Sequence, residues 1–116
     1  MTQMKQVIII RRDLWMRRGK EIAQGAHASL GAVLEHATAE DIDAWMSTGN
    51  KKVVCKVQSE RDLLLIEHQA REAGLPVYLV RDAGATAVAA NTATALAIGP
   101  APETMVDRIT GELELY

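Results

Sequence analysis

Three polar side chains are spaced so that they could act together: Lys20, Gln24 and His27 lie at positions i, i+4 and i+7. In a helix this spacing places them on one face. A lysine can stabilise an anion, a glutamine amide can orient a carbonyl group or a water, and an imidazole titrates near neutral pH. The spacing predicts either the wall of a polar cleft or an ordinary solvated helix face.

The residues that flank this polar stripe favour the cleft. Gly25 and Gly31 lie inside the predicted helix, where glycine costs about 1 kcal/mol relative to alanine. Alanines border the stripe where a solvated helix face usually carries charged side chains, and such small residues let a ligand or another backbone come close. The expected core stripe lies on roughly the opposite face and consists of Ile22, Ala26, Leu30 and Val33.

A basic segment leads into this helix. Its positive side chains are Arg11, Arg12, Arg17, Arg18 and Lys20. The whole chain has a formal net charge of −2, so its overall charge gives no sign of nucleic-acid binding. A local basic cluster beside a cleft could nevertheless hold phosphates, the alternative being a solvated basic loop.

The composition sets the class of protein. With 116 residues the chain is long enough for a single domain, 1–116, and 48% apolar residues exclude a disordered chain. The lone cysteine, Cys55, excludes an intrachain disulfide and a thiolate metal cluster, and its apolar neighbours predict a buried position. Without a signal-peptide pattern or an apolar run near the ~20 residues of a membrane span, we expect a soluble, cytoplasmic protein.

Strand and helix patterns alternate along the chain. Strands are expected at 6–10, 53–57, 77–80 and 94–98, with Gly99-Pro100 ending the last. Thr38 and Ser59 are expected to cap two further helices, and a short helix should follow Pro102. The alternation predicts at least three parallel strands covered on both faces, a three-layer α/β/α sandwich. Ligands bind beyond the carboxyl ends of such strands, where Asp82 follows the third strand.

Five segments match a known family in order and spacing, over nearly the whole chain: RRDLWMRRGKEIAQGAHAS, KKVVCKV, GLPVYLVRDAGAT, TALAIGP and ITGELELY. The chain resembles the type II peptidyl-tRNA hydrolases. The resemblance implies a four-stranded mixed sheet whose last strand is antiparallel, and a homodimer. It also implies hydrolysis of the ester that joins a peptide to the 3′-terminal ribose of tRNA, with no metal or cofactor and no membrane attachment.

The family's functional positions carry over to Lys20, Gln24, Asp82, Thr86 and Thr94, with His27 beside them. This chain departs from the usual family pattern at Ala85, Asn91 and Ile22. Ala85 replaces a larger polar residue, which could weaken substrate binding. Asn91 replaces a glycine, and asparagine is the next-best residue for a left-handed backbone. Ile22 replaces a commoner alanine on the expected core side.

The sequence predicts a water molecule as the nucleophile, because there is no GxSxG elbow and the lone cysteine lies within a strand. Asp82 is predicted to orient or deprotonate this water, with Thr94 or Thr86 as its hydrogen-bond partner. Lys20 could stabilise the oxyanion or hold the terminal phosphate, and Gln24 could position the carbonyl group or the water.

Several alternatives stay open at this stage. Asp82 could cap a turn or form a purely structural ion pair with Lys20, His27 could be a packed core residue, and the threonines could be ordinary strand-end hydroxyls. The predicted contacts to tRNA phosphates are Arg12, Arg17, Arg18, Lys51 and Lys52. An alternative function is a catalytically weak or inactive member that serves as a protein- or RNA-binding module. Another is hydrolysis of a different small ester or amide.

Overall fold

The elements of the chain alternate between strands and helices in a computed structural model that describes residues 2–84 and 88–116. In chain order they are β1 (Met4–Arg11), a 3₁₀ turn (Arg12–Leu14), α1 (Arg18–His36), α2 (Ala39–Ser47), β2 (Lys52–Val57), α3 (Glu60–Glu72), β3 (Val77–Arg81), β4 (Ala93–Pro102) and α4 (Glu103–Thr110). Thr38 and Ser59 cap α2 and α3 by accepting the backbone N–H groups of Asp41 and Asp62, as predicted. Over the described ranges, none of these helices combines the length and apolarity needed to cross a membrane.

The strands form one mixed sheet in the order β2-β1-β4-β3. β1 and β2 are parallel, with Gln6 opposite Lys52, whereas β4 is antiparallel to both β1 and β3. Three strands therefore run in one direction, and the last strand runs against them in the middle of the sheet. This arrangement confirms the predicted mixed sheet with an antiparallel last strand.

Helices cover both faces of the sheet, which confirms the three-layer architecture. On one face, α3 and α4 pack on the sheet through a cluster of large aliphatic side chains, which includes Leu63 of α3 and Val7, Ile9, Leu96 and Ile98 of the sheet. We call this the aliphatic face. On the other face, α1 packs through small residues, and the buried set there is Ile8, Ile10, Ala28, Ala32, Val80, Ala95 and Ala97. We call this the alanine face.

The predicted core stripe of α1 is wrong. Ile22 is 71% exposed and Leu30 is 59% exposed, whereas the buried positions of the helix are Glu21, Gln24, Gly25, Ala28 and Ala32. The small residues explain this orientation, because they let α1 lie close against the sheet. A Cβ atom added at Gly25 would already stand 3.4 Å from Ile8. The apolar stripe instead lines a groove of about 850 Å³ beside the exposed face of β2.

The fourth strand does not end at Gly99-Pro100, contrary to the sequence expectation. β4 continues to Pro102, and Gly99 absorbs the bend with φ of 101° while its N–H bonds the carbonyl oxygen of Pro76 at 2.8 Å. The register of β1 against β4 is irregular between Lys5 and Val7, at the same level of the sheet. A left-handed glycine together with this irregularity thus lets the ladder continue past a proline.

The tail after α4 lies along the outer edge of β2. The N–H of Lys56 bonds the carbonyl of Glu114, and the N–H of Tyr116 bonds the carbonyl of Val54, each at 3.0 Å. These bonds satisfy part of an otherwise open strand edge. Cys55 in the same strand is buried, as predicted, and burial raises the pKa of its thiol. The tail thereby brings Tyr116 toward the start of α1.

Candidate active site

A lysine and an aspartate meet where α1 begins and β3 ends. Lys20 lies in the first turn of α1, and Asp82 directly follows β3. The Lys20 Nζ lies 2.6 Å from Asp82 Oδ1, and both side chains are largely withdrawn from solvent. The sequence predicted a ligand site beyond the carboxyl ends of the parallel strands. The structure places the pair of Lys20 and Asp82 there, at the carboxyl end of β3.

Gln24 connects this ion pair to β4. Its Nε2 donates to Thr94 Oγ1 at 2.9 Å and, more weakly, to Asp82 Oδ1 at 3.4 Å. The Thr94 hydroxyl in turn donates to the carbonyl oxygen of Val80 at 3.3 Å. Because that hydroxyl's proton is used on Val80, its oxygen lone pairs face the glutamine amide and fix the amide's orientation.

The backbone around Asp82 holds its carboxylate in one direction. The Gly84 N–H donates to Oδ2 at 2.7 Å, and the Asp82 N–H bonds the carbonyl of Thr92 at 2.8 Å. Asn91 closes the loop by donating its N–H to the Asp82 carbonyl at 2.7 Å, with a left-handed φ of 65°. The predicted use of asparagine in a left-handed turn is therefore confirmed at this position.

The charge state of Asp82 follows from these contacts. The hydrogen bond from Lys20 lowers the pKa of the Asp82 carboxyl, the Gly84 N–H and the lysine charge lower it further, and burial opposes them. The carboxyl is therefore ionised at neutral pH. It can accept hydrogen bonds from a water or a substrate, but with Lys20 attached it is a weak base.

Of the two remaining predicted catalytic residues, one is not bonded to this cluster and the other lies outside the described residues. His27 lies on the exposed side of α1, and within residues 2–84 and 88–116 it has no hydrogen bond to Lys20, Gln24 or Asp82. Thr86 lies outside the described residues, as does Ala85. The structure therefore brings together Lys20, Gln24, Asp82 and Thr94, and a role for His27 or Thr86 stays a prediction.

The five predicted tRNA contacts do not form one patch. Arg17 and Arg18 are exposed at the start of α1, beside Lys20. Lys51 and Lys52 lie at the start of β2, at the opposite end of the sheet from Asp82. Lys51 is paired with Glu103 at 2.5 Å, and the Lys52 ammonium lies 4.9 Å from the ring centroid of Trp45.

A cluster of three side chains next to the site, in which only Glu21 is buried, was not predicted. The Arg12 Nη1 donates to both carboxylate oxygens of Glu21 at 3.0 and 3.1 Å, and the Tyr116 hydroxyl bonds both partners. The hydrogen bond to Glu21 raises the pKa of the Tyr116 phenol. No local pattern in the sequence connects Glu21 to a tyrosine 95 residues away. The cluster ties the tail to α1 one residue from Lys20.

Comparison with known proteins gives one consistent result. A family model described as "Peptidyl-tRNA hydrolase PTH2" matches residues 4–116. A peptidyl-tRNA hydrolase of Methanocaldococcus jannaschii is 46% identical, with 97% of this chain and 99% of the relative covered. Proteins of the same name from Halobacterium salinarum and Thermococcus onnurineus are 50% and 44% identical, each with at least 97% of either chain covered. The chain therefore belongs to the PTH2 family of peptidyl-tRNA hydrolases.

Proposed function

We propose that the cluster of Lys20, Gln24, Asp82 and Thr94 hydrolyses the ester between a peptide, or an N-blocked amino acid, and the 3′ ribose of tRNA. The observation that carries this proposal is the convergence of Lys20 and Gln24 from α1 on Asp82 and Thr94, at 2.6 and 2.9 Å. Family membership supports the same reaction. Because ribosomes make peptidyl-tRNA, we expect the enzyme to act in the cytoplasm.

Water is the nucleophile in this scheme, and Asp82 positions it. The low pKa of the carboxyl suits it to orient a water by accepting a hydrogen bond. As water attacks the ester carbonyl, the carbonyl oxygen gains negative charge, and the Lys20 ammonium shifts toward it. Losing the lysine contact raises the pKa of Asp82, so that Asp82 becomes a better base when the water must release its proton.

The remaining steps return the site to its starting state. The tetrahedral intermediate collapses and the bond to the ribose oxygen breaks. That oxygen takes the proton that Asp82 removed from the water, which gives the free hydroxyl of tRNA and restores the ionised carboxylate of Asp82. Gln24 is held by Thr94 through its amide nitrogen. Its amide oxygen has no partner among the described residues and can accept a hydrogen bond from the attacking water.

Arg12 is already bonded to Glu21 and Tyr116, so phosphate binding is assigned to Arg17 and Arg18. Their exposure next to Lys20 supports contacts near the 3′ end of the substrate, whereas Lys51 and Lys52 would need the tRNA to reach the other end of the sheet. Such contacts release counterions, so binding should weaken steeply as salt rises. A Michaelis constant for peptidyl-tRNA that does not change with salt would contradict this assignment.

The substrate-cleavage experiment measures release of N-acetylated amino acids from tRNA. We expect Asp82→Asn and Lys20→Met each to lower kcat/KM by about 100-fold or more. Asp107→Asn and Lys5→Met are matched controls, because that ion pair of 2.5 Å joins α4 to β1 away from the site. The controls should retain turnover.

Three other outcomes would contradict the proposal. Turnover that survives both site variants would mean that the chemistry lies elsewhere. A wild-type protein that binds tRNA without cleaving the ester would be a binding module. Equal turnover of an N-blocked amino ester that lacks tRNA would indicate a hydrolase of small esters.

The family resemblance implies a homodimer, and we further propose that a second copy of the chain covers the apolar groove. The groove is lined by exposed or half-exposed apolar side chains, which include Ile22, Leu30, Val33, Met46 and Val54. Exposed apolar patches of this kind mark association surfaces. Ile22→Glu should convert a dimer to a monomer in sedimentation equilibrium. Leu65→Glu, on the exposed side of α3, should leave the dimer intact. A monomeric wild-type protein at micromolar concentration would exclude this proposal.

A further inference from the structure

Trp15 is the most exposed large apolar side chain of the described residues, with 86% of its surface accessible. The other tryptophan of the chain, Trp45, is 3% exposed, and its indole N–H donates to the carbonyl of Lys51 at 2.8 Å. Tryptophan has a large apolar surface, and on average most of that surface is buried in folded proteins. The position of Trp15 therefore needs an explanation that the catalytic cluster does not provide.

The loop that carries Trp15 is anchored on both sides of the indole. Upstream, the Arg11 guanidinium bonds Asp13 at 2.8 Å and the carbonyl of Ala93 at 3.1 Å. Downstream, Met16 packs against the core of the alanine face. The backbone N–H of Trp15 itself donates to the carbonyl oxygen of Arg12 at 3.2 Å. These anchors hold the indole outward on a fixed backbone.

The backbone of Trp15 is strained. Its φ is 55°, in the left-handed region that normally takes glycine or asparagine where a helical turn ends. A bulky side chain is unfavourable in this region, because its Cβ atom crowds the backbone. Strain of this kind persists only where the surrounding structure enforces it, and it is concentrated at active sites and ligand-binding sites.

The surroundings of Trp15 indicate the ligand. The exposed cations Arg17 and Arg18 follow Trp15 after one intervening residue, Met16, and Lys20 of the candidate active site lies five residues after Trp15. On the other side, Arg11 reaches Ala93, the residue before Thr94. A planar aromatic side chain beside unburied arginines is the combination that binds single-stranded nucleic acid, through base stacking and phosphate contacts.

We propose that Trp15 stacks on an unpaired base at the 3′ end of the tRNA, while Arg17 and Arg18 bind the flanking phosphates. This inference rests on the proposed function. The scissile ester is attached to the terminal ribose, so the bases of the single-stranded end must lie beside the catalytic cluster when the ester reaches Asp82. Trp15 thereby distinguishes the end of a tRNA from other backbone phosphates.

The test compares deacylated tRNA with the same tRNA lacking its single-stranded 3′ end, used as competitive inhibitors of wild-type protein and Trp15→Ala. Trp15→Ala should weaken binding of intact tRNA about 10-fold, since base stacking on an aromatic side chain has an effect of this size. It should not change binding of the shortened tRNA, and Trp15→Phe should recover part of the loss. Leu65→Ala, on exposed α3, is the matched control and should change neither constant.

Fluorescence gives a second readout that does not depend on turnover. Because Trp45 is buried, intact deacylated tRNA should quench mainly Trp15, and the quenching should disappear in Trp15→Phe. The inference is overturned if Trp15→Ala binds intact tRNA as tightly as wild type does, or if it loses affinity equally for the intact and the shortened tRNA. It is also overturned if the loss depends on the esterified amino acid and not on the 3′ end. Any of these results with normal ester cleavage would leave the proposed function standing, whereas absent cleavage would contradict the proposed function itself.

Discussion

The two faces of the sheet are held by different means. The aliphatic face buries large branched side chains, such as Ile9, Leu63 and Leu96, in one continuous cluster. The alanine face buries mostly alanines, such as Ala28 and Ala95, between α1 and the sheet. Burial of apolar area is non-directional and scales with the size of the side chain, so the aliphatic face supplies most of the hydrophobic stabilisation.

On the alanine face, hydrogen bonds between α1 and the sheet fix the position of the helix instead. Gln6 is fully buried, and its Nε2 donates to the carbonyls of Ser29 and Gly99 at 3.1 and 3.2 Å, while the Ser29 hydroxyl donates back to Gln6 Oε1 at 2.6 Å. Gln24 makes a comparable link to Thr94. The small residues that bring α1 close are therefore what allow short polar side chains to reach across to the sheet, and the candidate active site lies on this face.

The largest expected effect is a loss of folding stability caused by a substitution in the aliphatic face alone. Leu63→Ala removes a fully buried side chain from α3 and should lower the free energy of unfolding by about 2–5 kcal/mol. Chemical denaturation would measure this loss. Because Leu63 lies on the far side of the sheet from Lys20, kcat per folded molecule should stay within about twofold of wild type. A selective loss of kcat would show that the two faces are not independent.

A smaller effect tests how closely α1 lies on the alanine face. A Cβ atom added at Gly31 would stand 2.5 Å from the ring of Tyr78, so Gly31→Ala should destabilise the fold by about 1–3 kcal/mol through overpacking. Gly19→Ala is the matched control, because a Cβ atom there meets nothing within 4 Å. It should stabilise the protein by up to about 1 kcal/mol, since alanine is the better helix former. Thermal melting that moves in the same direction for both variants would contradict the close approach of α1.

The smallest effect concerns pH and belongs to the alanine face. The pKa of Asp82 is lower in the folded chain than its ordinary value near 3.9, so its contribution to stability is present above that value and is lost as pH falls through the folded pKa. Lys20→Met removes the largest cause of the shift. The difference in unfolding free energy between wild type and variant should therefore be present at neutral pH and shrink in acid. A difference that is independent of pH would mean that the pair does not set the pKa of Asp82.

Much of this arrangement was predictable from the sequence. The alternation of strands and helices predicted three layers, and the carboxyl ends of the strands predicted where Asp82 and Lys20 would meet. The helical spacing supplied Gln24 together with Lys20, and the resemblance to the family supplied Thr94. The alternation of Ala95 and Ala97 with Leu96 and Ile98 in β4 also held the signal that one face would be thin, because neighbouring residues of a strand point to opposite faces.

The orientation of α1 was not predictable from periodicity. An apolar stripe such as Ile22 and Leu30 shows that a helix face needs cover, but not whether the sheet or another surface provides it. The contact of Tyr116 with Glu21 also lacked a signal, because it joins distant parts of the chain through side chains. In both cases the deciding fact is which surfaces come together, and local spacing does not contain it.

The position of β4 in the sheet has a consequence for how the protein folds during its synthesis. β4 is the last strand to be synthesised, yet it lies between β1 and β3 and pairs with both. Until it leaves the ribosome, the sheet has a gap at its centre, and Thr94 is absent from beside Gln24. The fold is therefore completed late, through contacts distant in sequence, which slows folding. Because a growing chain is itself a peptidyl-tRNA, this order of assembly keeps the hydrolase incomplete while most of its own chain is being made.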